Sequence, residues 1–205
     1  MGAWMQKLVG VIGVESAPAG HTEKWLSAVG GFLGIFFVYL LSREFVGSGS
    51  SAWIVASMGA SAVLLFAVPH GPLSQPWALV GGHLVSALAG VTVARFVQDP
   101  ALAAALAVSA AIGLMYYLRC IHPPGGATAL TAVLGGGGIQ ALGYQYVLTP
   151  VMLNVAVIAL TAVAVNYLFA WRRYPAWLGK QAQAPEASGV DSGRLSRADL
   201  AFALG

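Results

Sequence analysis

His122 heads the nonapeptide His122–Leu130, HPPGGATAL, where the residue types best suited to chemistry are concentrated. An imidazole can donate, accept or carry a proton near neutral pH. Pro123 and Pro124 lack amide protons, and Gly125 and Gly126 lack a Cβ, so another group can approach the backbone closely. Proline is favoured in the first turn of a helix, where its missing N–H would have no partner anyway. The pattern therefore predicts a helix that begins at the prolines, runs through Ala127 and Thr128 to about Leu134, and stops at Gly135–Gly138. A helix start presents orphan amides and a partial positive charge, which suits an anion or a polar substrate. The expected donors are the amides of Gly125, Gly126, Ala127 and Thr128, with the Thr128 hydroxyl beside them.

The surroundings of this motif place it in a membrane. It lies in a 52-residue run, Cys120–Trp171, free of Asp, Glu, Lys and Arg. One crossing helix needs about 20 residues, so the run must hold a crossing and a second piece of backbone at membrane depth. The chain of 205 residues is 58% hydrophobic and only 8% charged, against about 25% charged in soluble domains. Trp25–Ser42, Ser51–Val68, Pro76–Ala94 and Ala101–Leu118 are further uncharged segments long enough to cross. The fold class expected is an all-α polytopic membrane helix bundle.

Charge-free runs alternate short, long, short, long: Trp25–Ser42, Phe45–Ala94, Pro100–Leu118 and Cys120–Trp171. Inside the long runs GASAVL (Gly59–Leu64) matches GATALT (Gly126–Thr131), and Pro76 and Pro150 each open a last helix. Weak symmetry of this kind suggests two related halves, each a crossing helix, a re-entrant or broken helix, and a crossing helix. Two re-entrant pieces give four crossings; two crossing pieces give six and inverted halves. Four is favoured, with both termini cytoplasmic, although the placement of basic residues discriminates weakly. The expected divisions are residues 1–23, with Trp4, Leu8 and Ile12 spaced for an interfacial helix; 24–173, a transmembrane domain with repeats at about 24–97 and 98–173; and 174–205, a polar tail ending in a short helix.

The first-half counterparts of the motif are Ser57, Gly59, Ala60 and Ser61, and two such sets meeting near the midplane would form a small polar pocket. His83, after Gly81-Gly82 in a crossing, is a second imidazole candidate. None of the seven acidic residues falls in an expected crossing, which disfavours a carboxylate proton relay and a carboxylate cation site. Four His and one Cys lack metal-ligand spacing, so neither metal nor cofactor is expected. Walker and nucleophile-elbow motifs are absent. The net charge of +3 is spread over membrane edges rather than gathered in a patch, so no nucleic-acid partner is expected. Asn154 and Asn166 are expected to bond across helices, while Arg43 and Arg119 either attract an anion at a vestibule or snorkel.

HPPGGATAL, MGASAVLLF (Met58–Phe66) and PLSQPWALVGGH (Pro72–His83), with the uncharged spans between them, resemble the HPP family of integral membrane proteins over about Lys24–Arg173. The resemblance implies four transmembrane helices and, from plant chloroplast and cyanobacterial relatives, transport of a small monovalent anion such as nitrite. Trp77 departs from a family pattern that places a basic residue after Gln75-Pro76. The expectation is a non-enzymatic transporter or channel in a bacterial cytoplasmic membrane, with a dimer left open. Its substrate would meet His122, Pro123, Pro124, Gly125, Gly126, Ala127, Thr128, Ser57, Gly59, Ala60, Ser61 and His83. The rivals are a neutral-solute channel, a non-transporting membrane subunit and, last, an intramembrane enzyme.

Overall fold

The computed structural model describes Trp4 and residues 19–182, and over these the chain is all helical. The expected interfacial helix around Leu8 and Ile12 and the expected terminal helix after Ser196 lie outside the described residues. The elements are α1 (His21–Ala67), a short turn at Pro72–Ser74, α2 (Pro76–Phe96), α3 (Pro100–Tyr117), α4 (Pro124–Leu134) and α5 (Gly137–Leu142). A wide helical turn at Val147–Met152, kinked at Thr149-Pro150, then leads into α6 (Leu153–Tyr167), followed by a turn at Ala170–Arg172 and α7 (Ala176–Ala182). Prolines open α2 and α4 where the sequence placed them and open α3 as well, whereas Pro150, expected to open the last helix, lies inside the kinked turn before α6. At α3 the Asp99 carboxylate also accepts the Leu102 amide at 2.7 Å. Asp99→Ala is expected to destabilise the fold by about 1 kcal/mol, read as a small drop in the thermal midpoint in detergent.

Four helical stretches are long and apolar enough to cross a membrane: His21–Glu44, Pro76–Phe96, Pro100–Tyr117 and Val147–Tyr167. Two shorter apolar ones, Ala56–Ala67 and Pro124–Leu134, stand between them, so the order is long, short, long, twice over. This is a multi-pass membrane protein. Large apolar side chains such as Phe32, Phe96, Tyr117 and Leu160 are exposed, as the lipid-facing side of such a bundle requires.

α1 folds back on itself. A straight helix of its 47 residues would be about 70 Å long. Yet Phe66 packs on Gly30 and Gly34, and Arg172 bonds both Glu23 and the Phe66 carbonyl. Its two apolar stretches therefore lie side by side and antiparallel. α6 lies against both: Asn154 donates to Ser42 at 2.7 Å, and Asn166 donates to the Leu65 carbonyl at 3.1 Å. Both asparagines bond across helices, as expected.

Direction is fixed by contacts at the two ends of the bundle. Trp77 donates to the Leu118 carbonyl, and Arg95 covers Tyr144 at 4.9 Å and sits beside Gly143. The chain thus enters α4 near the start of α2 and leaves it near the end of α2. The two helices run parallel, with Gly125 against Gly82 and Ala129 against Gly90. Of the two alternatives for the inner pieces, the second one is a broken helix joining opposite ends, not a hairpin returning to its own side. Arg43 and Arg119 accordingly fall at opposite ends of the bundle.

The core consists of three apolar clusters. Met58, Phe66, Leu79 and Ile158 join α1, α2 and α6; alanines at 103, 107 and 111 join α3 to α2 and α4; Val91, Ala132, Ile139 and Tyr146 close the end around α5.

Candidate functional site

Four elements meet at one point. The short stretch of α1 brings Ser61, α2 brings His83, the coil before α4 brings His122, and the first turns of α4 bring Thr128. All four side chains are fully buried. The Ser61 hydroxyl lies 2.9 Å from Nε2 of His83 and 2.9 Å from Nε2 of His122. His83 Nδ1 lies 2.7 Å from the Thr128 hydroxyl, and His122 Nδ1 lies 2.8 Å from the Leu73 carbonyl. The two rings stand edge to face with centroids 4.9 Å apart.

The protons on this chain can be placed from its fixed end. A carbonyl only accepts, so His122 carries its proton on Nδ1, and a neutral ring then offers a bare Nε2. Ser61 donates its single hydroxyl proton to that Nε2 and accepts at its oxygen from His83 Nε2–H. His83 Nδ1 is then bare and accepts from Thr128. The hydrogen bonds run in one direction, Thr128 to His83 to Ser61 to His122 to Leu73, with both imidazoles neutral. Every ring nitrogen has a partner, which is what burial in a low-dielectric interior demands.

Glycine lets these elements close on one another. A Cβ on Gly82 would come within 2.5 Å of His122 Cβ and 3.0 Å of the Cys120 carbonyl; one on Gly125 would come within 2.6 Å of Ser86 Oγ and 2.9 Å of the Gly82 carbonyl. Side chains at these two positions would push the coil off α2 and pull the imidazoles apart.

The residues singled out in the sequence divide clearly. His122, Thr128, Ser61 and His83 come together, and Ser57 is buried beside them, its carbonyl 3.3 Å from the Ser61 hydroxyl. Pro124 and Gly125 are buried against α2. Pro123 is exposed and Gly126 and Ala127 are half-buried, with open space where a Gly126 Cβ would stand. Gly59 faces a groove shared with Ser27 and Ile35, and Ala60 is exposed. Neither reaches the histidines.

Two of the four amides expected to be bare, those of Gly125 and Gly126, are occupied. Gly125 N–H donates to the His122 carbonyl at 2.8 Å, and Gly126 N–H donates to the Pro123 carbonyl at 3.0 Å. The double proline tightens the start of α4 into a turn that satisfies its own donors. The polar groups that meet at this point are side chains, the two imidazoles and two hydroxyls.

Several participants carried no signal in the sequence. The Leu73 carbonyl comes from the turn before α2. Tyr146 donates its phenol to the Thr128 carbonyl at 3.0 Å, and the buried Ser86 hydroxyl has no hydrogen-bond partner. Beside Leu73, at the end of the bundle, a cleft of about 900 Å³ is lined by His70, Pro72, Gln75, Trp77, Trp171 and Trp177 among others. Among the described residues no three His, Cys, Asp or Glu side chains are grouped as metal ligands.

Comparison with known proteins adds the lineage. The chain is 39% identical over 155 residues to one transmembrane protein of Dictyostelium discoideum, covering 74% of this chain and 49% of that relative. It is 36% identical over 155 residues to a second from the same organism, covering 74% and 53%. It thus spans about half the length of these two relatives, whose names say no more than transmembrane protein. No solved structure matches significantly. The model of the family described as HPP, transmembrane region, matches residues 16–175, which takes in the histidine chain and every membrane-spanning stretch. The chain belongs to the HPP family of transmembrane proteins.

Proposed function

We propose that this protein carries a small monovalent anion, nitrite in the first instance, across a membrane by way of the Ser61–His83–His122–Thr128 cluster. One observation carries the reading: both short inner helices bring hydroxyls to a buried pair of imidazoles where, among the described residues, no carboxylate competes. The three described acidic residues are engaged elsewhere, Glu23 with Arg172, Glu44 with Arg43, and Asp99 with the Leu102 amide. A cation would find no counter-charge here, whereas hydroxyls and imidazole N–H groups are anion donors. The tryptophan-lined cleft supports the reading as a vestibule, because Pro72 and Gln75 in its wall flank the Leu73 carbonyl that holds His122. Nitrite is taken from the resemblance of the motifs, and a bacterial cytoplasmic membrane as the setting is part of the same proposal.

A second reading is favoured by the same burial. A fully paired cluster, shut off on every side, also suits a hydrogen-bond knot in a membrane subunit that moves nothing. Uptake by purified protein in liposomes separates the two. Transport predicts accumulation of nitrite above protein-free vesicles, and about tenfold slower uptake for a correctly inserted His122→Ala variant. A folded wild-type protein that moves neither nitrite nor another monovalent anion would leave the structural reading standing.

A further inference from the structure

We infer that the His83–Ser61–His122 chain is a one-proton switch that binds its anion only together with a proton, making the transport electroneutral. The inference rests on the transport reading and adds the coupling ion to it.

The argument starts from the two hydroxyls. Each has a second acceptor within reach, the carbonyl four residues earlier on its own helix. Ser61 Oγ lies 3.3 Å from the Ser57 carbonyl, and Thr128 Oγ1 lies 3.4 Å from the Pro124 carbonyl. A proton arriving at His122 Nε2 forms an N–H bond there. The Ser61 O–H turns from that nitrogen to the Ser57 carbonyl, and its oxygen accepts from both imidazoles. A proton arriving at His83 Nδ1 is accommodated in the same way when Thr128 turns to Pro124. No bond of the protein breaks and no electron moves. In either state every donor has an acceptor, so the pair passes between neutral and singly charged by one hydroxyl rotation.

The switch stops at one proton. Two imidazolium rings 4.9 Å apart would repel each other at a site with no nearby negative charge among the described residues. Among the described residues the groups bonded to the pair are Ser61 from α1, Thr128 from α4 and the Leu73 carbonyl, with the Met115 sulfur on the His122 amide; around them stand the Ser57 carbonyl, the Ser86 hydroxyl beside Gly125, and the Tyr146 phenol on the Thr128 carbonyl. None is a carboxylate or a permanent cation. A single imidazolium thus lacks a counter-charge among the described residues, and a monovalent anion supplies one. Each species stabilises the other in the site, so they enter and leave as a neutral pair.

Three measurements test this, with nitrite as the probe. In proteoliposomes with the membrane potential clamped and a pH dye in the lumen, the expected result is one proton carried per anion and a rate insensitive to the potential. In weakly buffered detergent solution, adding nitrite to the purified protein should take up one proton per chain. Nitrogen NMR of labelled histidine, without anion at neutral pH, should show His122 protonated at Nδ1 and His83 at Nε2. Ser61→Ala keeps both rings but removes the rotor, so proton uptake should fall at least about tenfold, with recovery in Ser61→Thr. Nitrite uptake driven by the potential with no proton would overturn the switch while leaving the transport reading intact. Proton uptake on binding without flux would uphold the switch and sink the transport reading. The opposite tautomers, or an imidazolium in the anion-free protein, would overturn the switch outright.

Discussion

Gly125→Val is expected to unfold or misassemble the centre of the bundle, while Gly126→Val, one residue on, is expected to behave nearly as wild type. The difference is one of direction. At Gly125 the first added carbon would already be 2.9 Å from the Gly82 carbonyl and 2.6 Å from Ser86 Oγ. The first of those atoms is backbone in the middle of α2 and cannot rotate away. The coil and α4 would have to withdraw from α2, which breaks the His122 and Thr128 hydrogen bonds at the same time. Overpacking typically costs 1–3 kcal/mol, and with those bonds lost the total should reach about 3 kcal/mol or more. At Gly126 nothing lies within 4 Å of the added carbon, so a change of under about 1 kcal/mol is expected, mostly from altered helix propensity. Thermal unfolding in detergent, together with size-exclusion profiles, compares the two. A Gly125→Val protein that melts with wild type, or a Gly126→Val protein that does not, would show that α4 does not turn Gly125 toward α2.

That rotation is the part of the structure that the sequence could not supply. Helix positions were legible because hydrocarbon excludes charge over about 20 residues and because proline fixes a first turn. Trp25–Ser42 became His21–Glu44, Pro76–Ala94 became Pro76–Phe96, and the stretch opened by the double proline became Pro124–Leu134. An amphipathic helix advertises which side faces inward. These helices are apolar all round, so nothing distinguishes the side of α4 bearing Gly125 from the side bearing Gly126. The close-approach glycine expected at either position is Gly125 alone. The same blindness hid the pairing of His83 with His122 through Ser61. Each was visible as a polar residue at membrane depth, but no local pattern says that residues 61, 83 and 122 share a point.

The amides of Gly125 and Gly126 depart from expectation for a different reason. The general expectation of orphan donors holds for a helix whose preceding chain leads away from it. Here Pro123 and Pro124 force the chain to enter through a tight turn, and the carbonyls of His122 and Pro123 fold back onto the next amides. Proline's own restriction on φ thus removes the feature that its missing N–H first suggested. Polar capacity moves to the hydroxyls and imidazoles, and those can change partners by rotation, whereas amides locked in a turn cannot. A cluster made of rotors can follow a change of protonation without moving a helix.

Glu23→Ala should destabilise the protein by about 3 kcal/mol, the range for removing one partner of a buried ion pair. In the sequence Arg172 was only a marker for the end of an uncharged run. In the structure it is 1% exposed and ties together three parts of the chain. Its guanidinium donates to the Asn166 side chain at 3.1 Å on α6, to Ser27 at 3.3 Å and to the Glu23 carboxylate on the first stretch of α1, and to the Phe66 carbonyl on the second. Glu23 also accepts from the Trp171 indole at 3.2 Å. Truncating Glu23 leaves a buried cation facing hydroxyl, amide and carbonyl oxygens with no formal negative charge. Its side chain is 29% exposed, so water can reach part of the gap, which holds the expected loss to the lower end of the usual 3–5 kcal/mol. A screened surface pair would weaken with added salt, whereas this one should lose nearly the same stability at low and high ionic strength. Arg172→Leu combined with Glu23→Leu removes both charges and is expected to be no less stable than Glu23→Ala. Melting of the three proteins at two salt concentrations decides it. A Glu23→Ala midpoint equal to wild type would mean that the folded-back ends of α1 are held by apolar packing alone.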